Sequence, residues 1–533
     1  MMLPRIPALS AARFRTVVFG GYDRRCGAAE GSLRNGRNLS AADWPALGAR
    51  RPRRRLETLS APGGLLSCEG LYWVDGDGLY RDGELMGQLT EAGCKTLCAM
   101  GRRVLIFPDK LLYDPDAETM TPLENNVTVQ CKFTDGTFAG EAAEANTLLA
   151  SDSSYDWSEQ FRVGDAVELS GAADPENNRS LIVREIEGPA LRFYENSFTV
   201  NSTPADITVA RTVPDLDGVF VNDNRVWGCK GDTIYASKLG DPFNWNVYDG
   251  LSGDSWTAQT GSAGAFTGCC AFLGYPCFFK AERVFKVYGS RPSNFELVGS
   301  ASLGVAPGAQ GSLAVADETL YYLSRAGIMA YGGGIPRCVS APLGEGRFDK
   351  AVGGSDGLRY YVSLRDGADW SLFCYDPAQG LWQREDETEA IAFAFHEGAL
   401  RMLTAEGELW ALGETGSGGE TEGPVESLAE FNDFTEDSPD RKHPAKLLLR
   451  LELEAGASLT VAVQYDSDGL WRPVAELTAQ GKRSWYLPLL PRRCDHYRLR
   501  LTGRGKWRLL SLVRETHRGS AVSNCSAPAS LGC

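Results

Sequence analysis

The sequence predicts an all-β protein: a seven-bladed β-propeller with an inserted small β-barrel and a C-terminal β-sandwich. Three observations lead there. From about residue 63 to about residue 414, an apolar strand, a tight polar turn and a second, aromatic-rich strand return roughly every 40 to 50 residues. The 60 glycines gather where the chain must turn. Apolar stripes of helical period are scarce, whereas apolar–polar alternation is frequent. A hydrophobic share of 43% over 533 residues suffices for several cores, in three or four domains.

Residues 1–62 precede any repeat and read as a basic N-terminal arm, with the cluster Arg50, Arg51, Arg53, Arg54, Arg55 broken by Pro52. Within it, Asn38 to Leu47 reads as a short helical or turn piece anchored by Leu39, Trp44 and Leu47. Residues 63–128 hold blades 1 and 2. In the first, Asp75-Gly76, Asp77-Gly78 and Asp82-Gly83 supply the positive-φ positions of hairpin turns. The second begins near Thr96.

The interval to the third copy then stretches to about 120 residues, and the excess, 129–200, reads as an inserted OB-like barrel. Its Phe161-Arg-Val-Gly-Asp-Ala-Val-Glu-Leu-Ser-Gly turns at Gly164-Asp165 into an alternating strand, and Glu141 to Asn146 reads as a short helical stretch. Acids at Asp165, Glu168, Glu185 and Glu187 stand where a nucleic-acid-binding barrel needs cations, so a spacer or interaction module is expected. Whether such a module meets a fibre or a glycan is open.

Blades 3–7 fill residues 201–412, with copies starting near Gly218, Thr267, Gly311, Gly353 and Ala392. One blade cannot bury both faces of its sheet, so consecutive blades must stack. Residues 413–440 are acidic and Gly-rich and read as a linker. Residues 441–518 show six alternating strands, a β-sandwich with Arg450, Arg498 and Arg500 turned outward, and residues 519–533 read as a flexible tail.

Charge is unevenly spread. Residues 1–62 carry twelve arginines against four acids, and residues 440–518 carry sixteen Lys/Arg against eight acids, a surplus of eight each. The chain total is −15, and residues 519–533 are uncharged, which leaves −31 on residues 63–439. Such a body repels nucleic-acid phosphate, while the basic flanks suit acidic partners.

Chemistry is hard to find in the pattern. The four histidines, His396, His443, His496 and His517, have no Ser or Cys nucleophile motif near them in sequence, and no phosphate loop, dinucleotide fingerprint or zinc-protease motif occurs. Cys94-x3-Cys98 and Cys269-Cys270 lack further ligands at metal spacing, so no metal, no cofactor and no enzyme activity is expected. Most of the 14 cysteines sit in strand patterns, Cys68, Cys229 and Cys374 among them, and read as reduced core thiols. Acids are abundant enough for a propeller glycosidase to be a second alternative, although the sialidase repeat is missing. Trp227, Trp245 and Trp370 would stack on sugars if the chain were instead a receptor- or carbohydrate-binding tail-tip protein. No run of eighteen apolar residues occurs and no signal-peptide pattern opens the chain, so membrane insertion is not expected.

Asn222-Asp-Asn-Arg-Val-Trp-Gly, the stretch Ile234 to Trp245 with its Asp-Pro-Phe-Asn-Trp ending, and Phe285-Lys-Val-Tyr-Gly resemble the blade signature of phage tail proteins. The similarity is to the tail nozzle or packaged-DNA stabilisation family of short-tailed phages. The ending, Tyr465 to Trp471 and Pro491 to Trp507, is similar to the terminal domain of related prophage proteins. The insertion at 129–200 departs from the short-tailed pattern and keeps a long-tailed phage open.

The resemblance implies a virion protein assembled in the bacterial cytoplasm. It would form a homo-oligomeric, hexameric ring below the portal and adaptor, with fibres or a needle docked outside. DNA would pass through without sequence-specific binding. Arg50, Arg51, Arg53, Arg54, Arg55, Arg492 and Arg493 are then the expected assembly contacts.

Overall fold

The computed structural model describes residues 11–137, 142–195, 197–413, 420–438 and 440–518, and the chain is all-β. Helix among the described residues amounts to five single 3-10 turns, and none is long and apolar enough to cross a membrane. The chain divides into two compact units: Ser60–Gln310, and the residues up to Leu59 joined with those from Gly311 onward.

The unit Ser60–Gln310 contains four small antiparallel sheets of four strands, each ordered as in the sequence. They begin with the strands Pro62–Ser67, Thr96–Met100, Gly218–Asn222 and Gly268–Phe272. The turns expected at Asp75-Gly76 and Asp82-Gly83 form, with positive φ at Gly76, Asp82 and Gly83, whereas Gly78 opens the strand Gly78–Arg81. Asp223 and Asn224 both take positive φ, 48° and 55°, the pair that a two-residue turn matched to strand twist requires. The first strands of successive sheets lie beside one another. Glycine permits that approach, since a Cβ at Gly218 would stand 2.7 Å from Cys269 Sγ.

Between the second and third small sheets runs a closed six-stranded barrel: Asn125–Gly136, Glu144–Ala150, Ala190–Phe193, Ser180–Glu187, Ala166–Ser170 and Ala205–Arg211 in spatial order. Phe133, Trp157, Val183, Phe193, Ile207 and Val209 fill its interior. Two sequence expectations change here. Of the stretch expected to be helical, residues from Glu144 are strand, because Leu148 and Ala150 alternate into the barrel core. The barrel also starts before residue 129 and closes beyond residue 200, on Ala205–Arg211, because Asn125–Gly136 needs that partner along its length.

The second unit holds three more small sheets. Two are four-stranded, starting at Ala314–Ala316 and Phe348–Ser355. The third runs Ala390–His396, Ala399–Thr404, Glu408–Leu412, Arg54–Thr58 and Glu420–Thr421. The basic N-terminal segment is therefore not a separate arm. Arg54–Thr58 pairs with Glu408–Leu412, setting Arg55 opposite Trp410 and Arg54 opposite Ala411.

Two larger sheets share one core of Leu447, Leu449, Leu451, Val461, Leu499, Leu501 and Trp507. In one, Leu39–Ser40, Leu47–Ala49, Trp507–Arg518, Lys442–Leu453 and Gly481–Pro488 are neighbours, with Ala11–Thr16 also on Trp507–Arg518. The other orders Leu33–Arg37, Glu426–Phe431, Tyr497–Arg504, Ser458–Tyr465 and Arg472–Leu477.

All six C-terminal strands seen in the sequence are present, but the N-terminal segment and the expected linker each add more. Those additions are short, and glycine, proline and arginine interrupt their alternation. Leu39 and Leu47 enter the core, while the third expected anchor, Trp44, is exposed. The expected linker also covers residues 414–419 and 439, which lie outside the described residues, as does the tail expected at 519–533.

Candidate functional site

The arginine cluster expected at the surface is largely spent inside the chain. Arg50 and Arg53 are each 5% exposed. The Arg50 guanidinium donates to both oxygens of Glu422, at 2.7 and 2.8 Å, and to Asn38 Oδ1 at 2.8 Å. Arg53 meets Glu385 at 2.6 Å and Asp386 at 2.8 Å. Burial disfavours the charge on Arg53, but Glu385, Asp386 and Glu422 outweigh it and raise its pKa. The same contest ends below the usual carboxylate value for Asp386, held down by Arg53, and for Glu422, held down by Arg50.

Arg55 is half-buried against Glu408, at 3.2 Å, and Glu420. Arg54 lies half-buried on the same strand. Arg51, Arg492 and Arg493 remain at the surface. Arg492 lies 3.4 Å from Asp468 and 5.5 Å from the centre of the Tyr465 ring.

The tryptophans divide the same way. Trp227 is 2% exposed in a knot with Trp256, Phe278 and Phe295, its ring centre 5.4 Å from that of Phe295. Trp245 is equally buried and donates Nε1–H to the Pro242 carbonyl at 2.9 Å. Neither can stack on a sugar, because the positions that look aromatic-rich in sequence are where neighbouring sheets pack. Trp370, by contrast, lines a cavity.

That cavity, about 1280 Å³, belongs to the second unit. Trp370 and Trp410 are half-buried in its wall, and Trp410 Nε1 donates to Glu408 Oε2 at 3.1 Å. Arg384 is tied to Glu387 at 3.0 Å and to Ser371 Oγ. Ten carboxylates line the wall against five guanidiniums, so the cleft disfavours polyanions and suits a neutral polyhydroxyl or cationic ligand. Among its described lining residues there is no histidine or cysteine. Trp410 and Arg384 were not picked out from sequence, since the walls of this cleft come from strands far apart in the chain.

The segment that carries the resemblance is an internal brace. Arg225 is 2% exposed and donates to the carbonyls of Ser237, Ser252 and Asp254, at 2.8, 2.9 and 2.5 Å, holding a long loop closed; burial lowers its pKa. Asn244, 1% exposed, bridges sheet and barrel. Its Nδ2 donates to Asp165 Oδ1 at 3.1 Å and its Oδ1 accepts from Ala166 N at 2.8 Å. Asp165, read as an outward acid, is buried and also accepts from Arg211 at 2.5 Å.

Beside the strands Ser458–Tyr465 and Tyr497–Arg504, Asp466, Asp495 and His496 bring donor atoms within 4.8 Å of one another. They are already engaged. Asp495 N donates to Asp466 Oδ1, His496 Nδ1 meets Asp495, and Ser467 Oγ lies 2.8 Å from His496 Nε2. The order Ser–His–Asp is that of a hydrolase relay, but Asp495 is 55% exposed, and water weakens both the coupling and the nucleophile.

No family model matches the chain, and no curated protein does. Among solved structures it is similar to BamB from Moraxella catarrhalis, at 11% identity and TM-score 0.25, over 55% of this chain and 99% of that one. It is also similar to Hsv2 from Kluyveromyces lactis, at 10% identity and TM-score 0.28, over 63% and 96%. An exo-β-1,3-galactanase from Phanerochaete chrysosporium matches at 10% identity and TM-score 0.20, over 56% and 95%. Superpositions this loose assign neither fold nor function.

Proposed function

We propose that the chain is a structural protein of a tailed-phage virion, a subunit of the nozzle or connector ring that extends the DNA exit channel below portal and adaptor. The seven small sheets are read as blades of a propeller, with the barrel inserted after the second blade and the two larger sheets forming a sandwich. One observation carries the reading. Within the segment that resembles the tail family, Asn222 to Trp245, Arg225 is a buried brace on a loop and Asn244 a buried brace between sheet and barrel, as a rigid scaffold needs. The charge of −31 on residues 63–439 adds to it, because a conduit that lets DNA slide must repel phosphate.

Arg51, Arg492 and Arg493 are exposed and are the assembly contacts retained in this reading. Negative-stain images and mass photometry of the purified protein, alone and with portal–adaptor complexes, are expected to show closed rings, hexameric in the tail-nozzle reading. Replacing the three arginines by glutamate should stop ring attachment without unfolding the chain. A monomer that ignores the portal–adaptor complex would overturn the proposal.

The cleft favours a second reading, a receptor- or carbohydrate-binding tail protein, because Trp370 and Trp410 present half-buried rings beside paired carboxylates and guanidiniums. A glycan array with wild type and Trp370→Ala decides it: a saccharide signal lost in the variant supports binding there, and silence in both removes it. Turnover of a polysaccharide, lost on neutralising the cleft carboxylates, would instead reveal a glycosidase.

A further inference from the structure

His443 and His517 are 74 positions apart in the chain, yet they stand directly opposite each other on the antiparallel strands Lys442–Leu453 and Trp507–Arg518. Opposed residues of such a pair project from the same face, with Cβ atoms about 4.5–5.5 Å apart. On the same strands the alternate residues Lys442, Pro444, Arg514 and Thr516 are buried, and so is Glu515, two positions from His517 on the same side of its strand. Both imidazoles are half-buried, and each holds an Nδ1 that is shut off from solvent and has no hydrogen-bond partner among the described residues. Shielded polar atoms are nearly always satisfied in folded proteins, so two of them on directly opposed residues point to a shared partner other than the described protein groups. The contrast with His496 is direct, since both of its ring nitrogens are engaged.

The surroundings narrow what that partner is. On the far side of His517 the opposed residue is Ala11, which brings no donor and little bulk. Two positions back, Glu515 is held by Arg13 at 2.9 Å and Lys446 at 3.2 Å, so that carboxylate is spoken for. Neutral imidazoles attract transition-metal ions of the zinc and copper type far more than calcium or magnesium. Two rings bound to one ion at about 2.0–2.1 Å bring their nitrogens to little more than 3 Å apart, within reach of a directly opposed pair.

We propose that His443 and His517 form a two-imidazole chelate for a divalent transition-metal ion, with water completing the shell. The bound ion clips the strand Trp507–Arg518 to its neighbour Lys442–Leu453. The proposal is independent of the virion reading.

The test uses full-length, untagged protein with its cysteines alkylated, titrated calorimetrically with zinc chloride at pH 7.5. One saturable site is expected in the micromolar range, with a melting temperature that rises with zinc and returns in EDTA. His443→Gln and His517→Gln should each weaken binding about tenfold or more while melting like wild type in EDTA, and His496→Gln should bind as wild type does. On the unmutated protein, zinc should protect His443 and His517, and not His396, from diethylpyrocarbonate, read by mass spectrometry. No saturable zinc binding, undiminished binding in either His443→Gln or His517→Gln, loss only in His496→Gln, or unprotected rings would overturn the assignment.

Discussion

Burial decides the roles of individual side chains more than residue type does. Trp227 and Trp370 have the same indole, but one is locked among three aromatic rings and the other lines a cleft. Trp227→Ala is therefore expected to cost about 3–5 kcal/mol in urea unfolding, whereas Trp370→Ala should leave stability nearly unchanged. Arg53 and Arg51 differ likewise. Arg53→Met leaves Glu385 and Asp386 with the longer contacts to Arg50, at 3.9 and 3.8 Å, and should cost about 3 kcal/mol, while Arg51→Met should cost little.

The same network sets a pH dependence. Asp386 and Glu422 are held below their ordinary values, so their contribution is full above the unfolded carboxylate pKa of about 4 and is lost as pH falls through the folded values. The stability gap between wild type and Arg53→Met, measured at pH 7 and again near pH 3, should narrow at the lower pH.

At the scale of elements, the joints between sheets matter most. The barrel is held to the third small sheet by Asn244, which satisfies Asp165 and Ala166 together. Asn244→Ala leaves both without that partner and should cost about 1–3 kcal/mol. Hydrogen exchange should show faster opening at Ala166–Ser170 than in the small sheets. Equal protection throughout would mean that the barrel is held by other contacts. The last small sheet depends on Arg54–Thr58, a strand separated from its partners by some 350 residues, a non-local pairing that must form late.

For the whole molecule, the acidic stretch from 63 to 439 gives the ring proposal a salt signature. If repulsion between acidic subunits limits association, added salt should strengthen ring formation up to the point where it screens the arginine contacts, and ring occupancy should peak at intermediate ionic strength. A monotonic fall with salt would mean that attraction between charged surfaces dominates.

The repeated hairpins, their turn positions and the six C-terminal strands were legible in the sequence, because each depends on alternation and turn chemistry within a few neighbouring residues. Asp82-Gly83 and the run Leu447, Leu449, Leu451 announce themselves locally. What the tertiary structure alone decided is where distant segments meet. It made Arg54–Thr58 the partner of Glu408–Leu412, turned Arg50 and Arg53 inward, and set His443 against His517. Strand pairing is mediated by backbone hydrogen bonds that every residue offers, so its long-range choices leave almost no mark on the sequence of either partner.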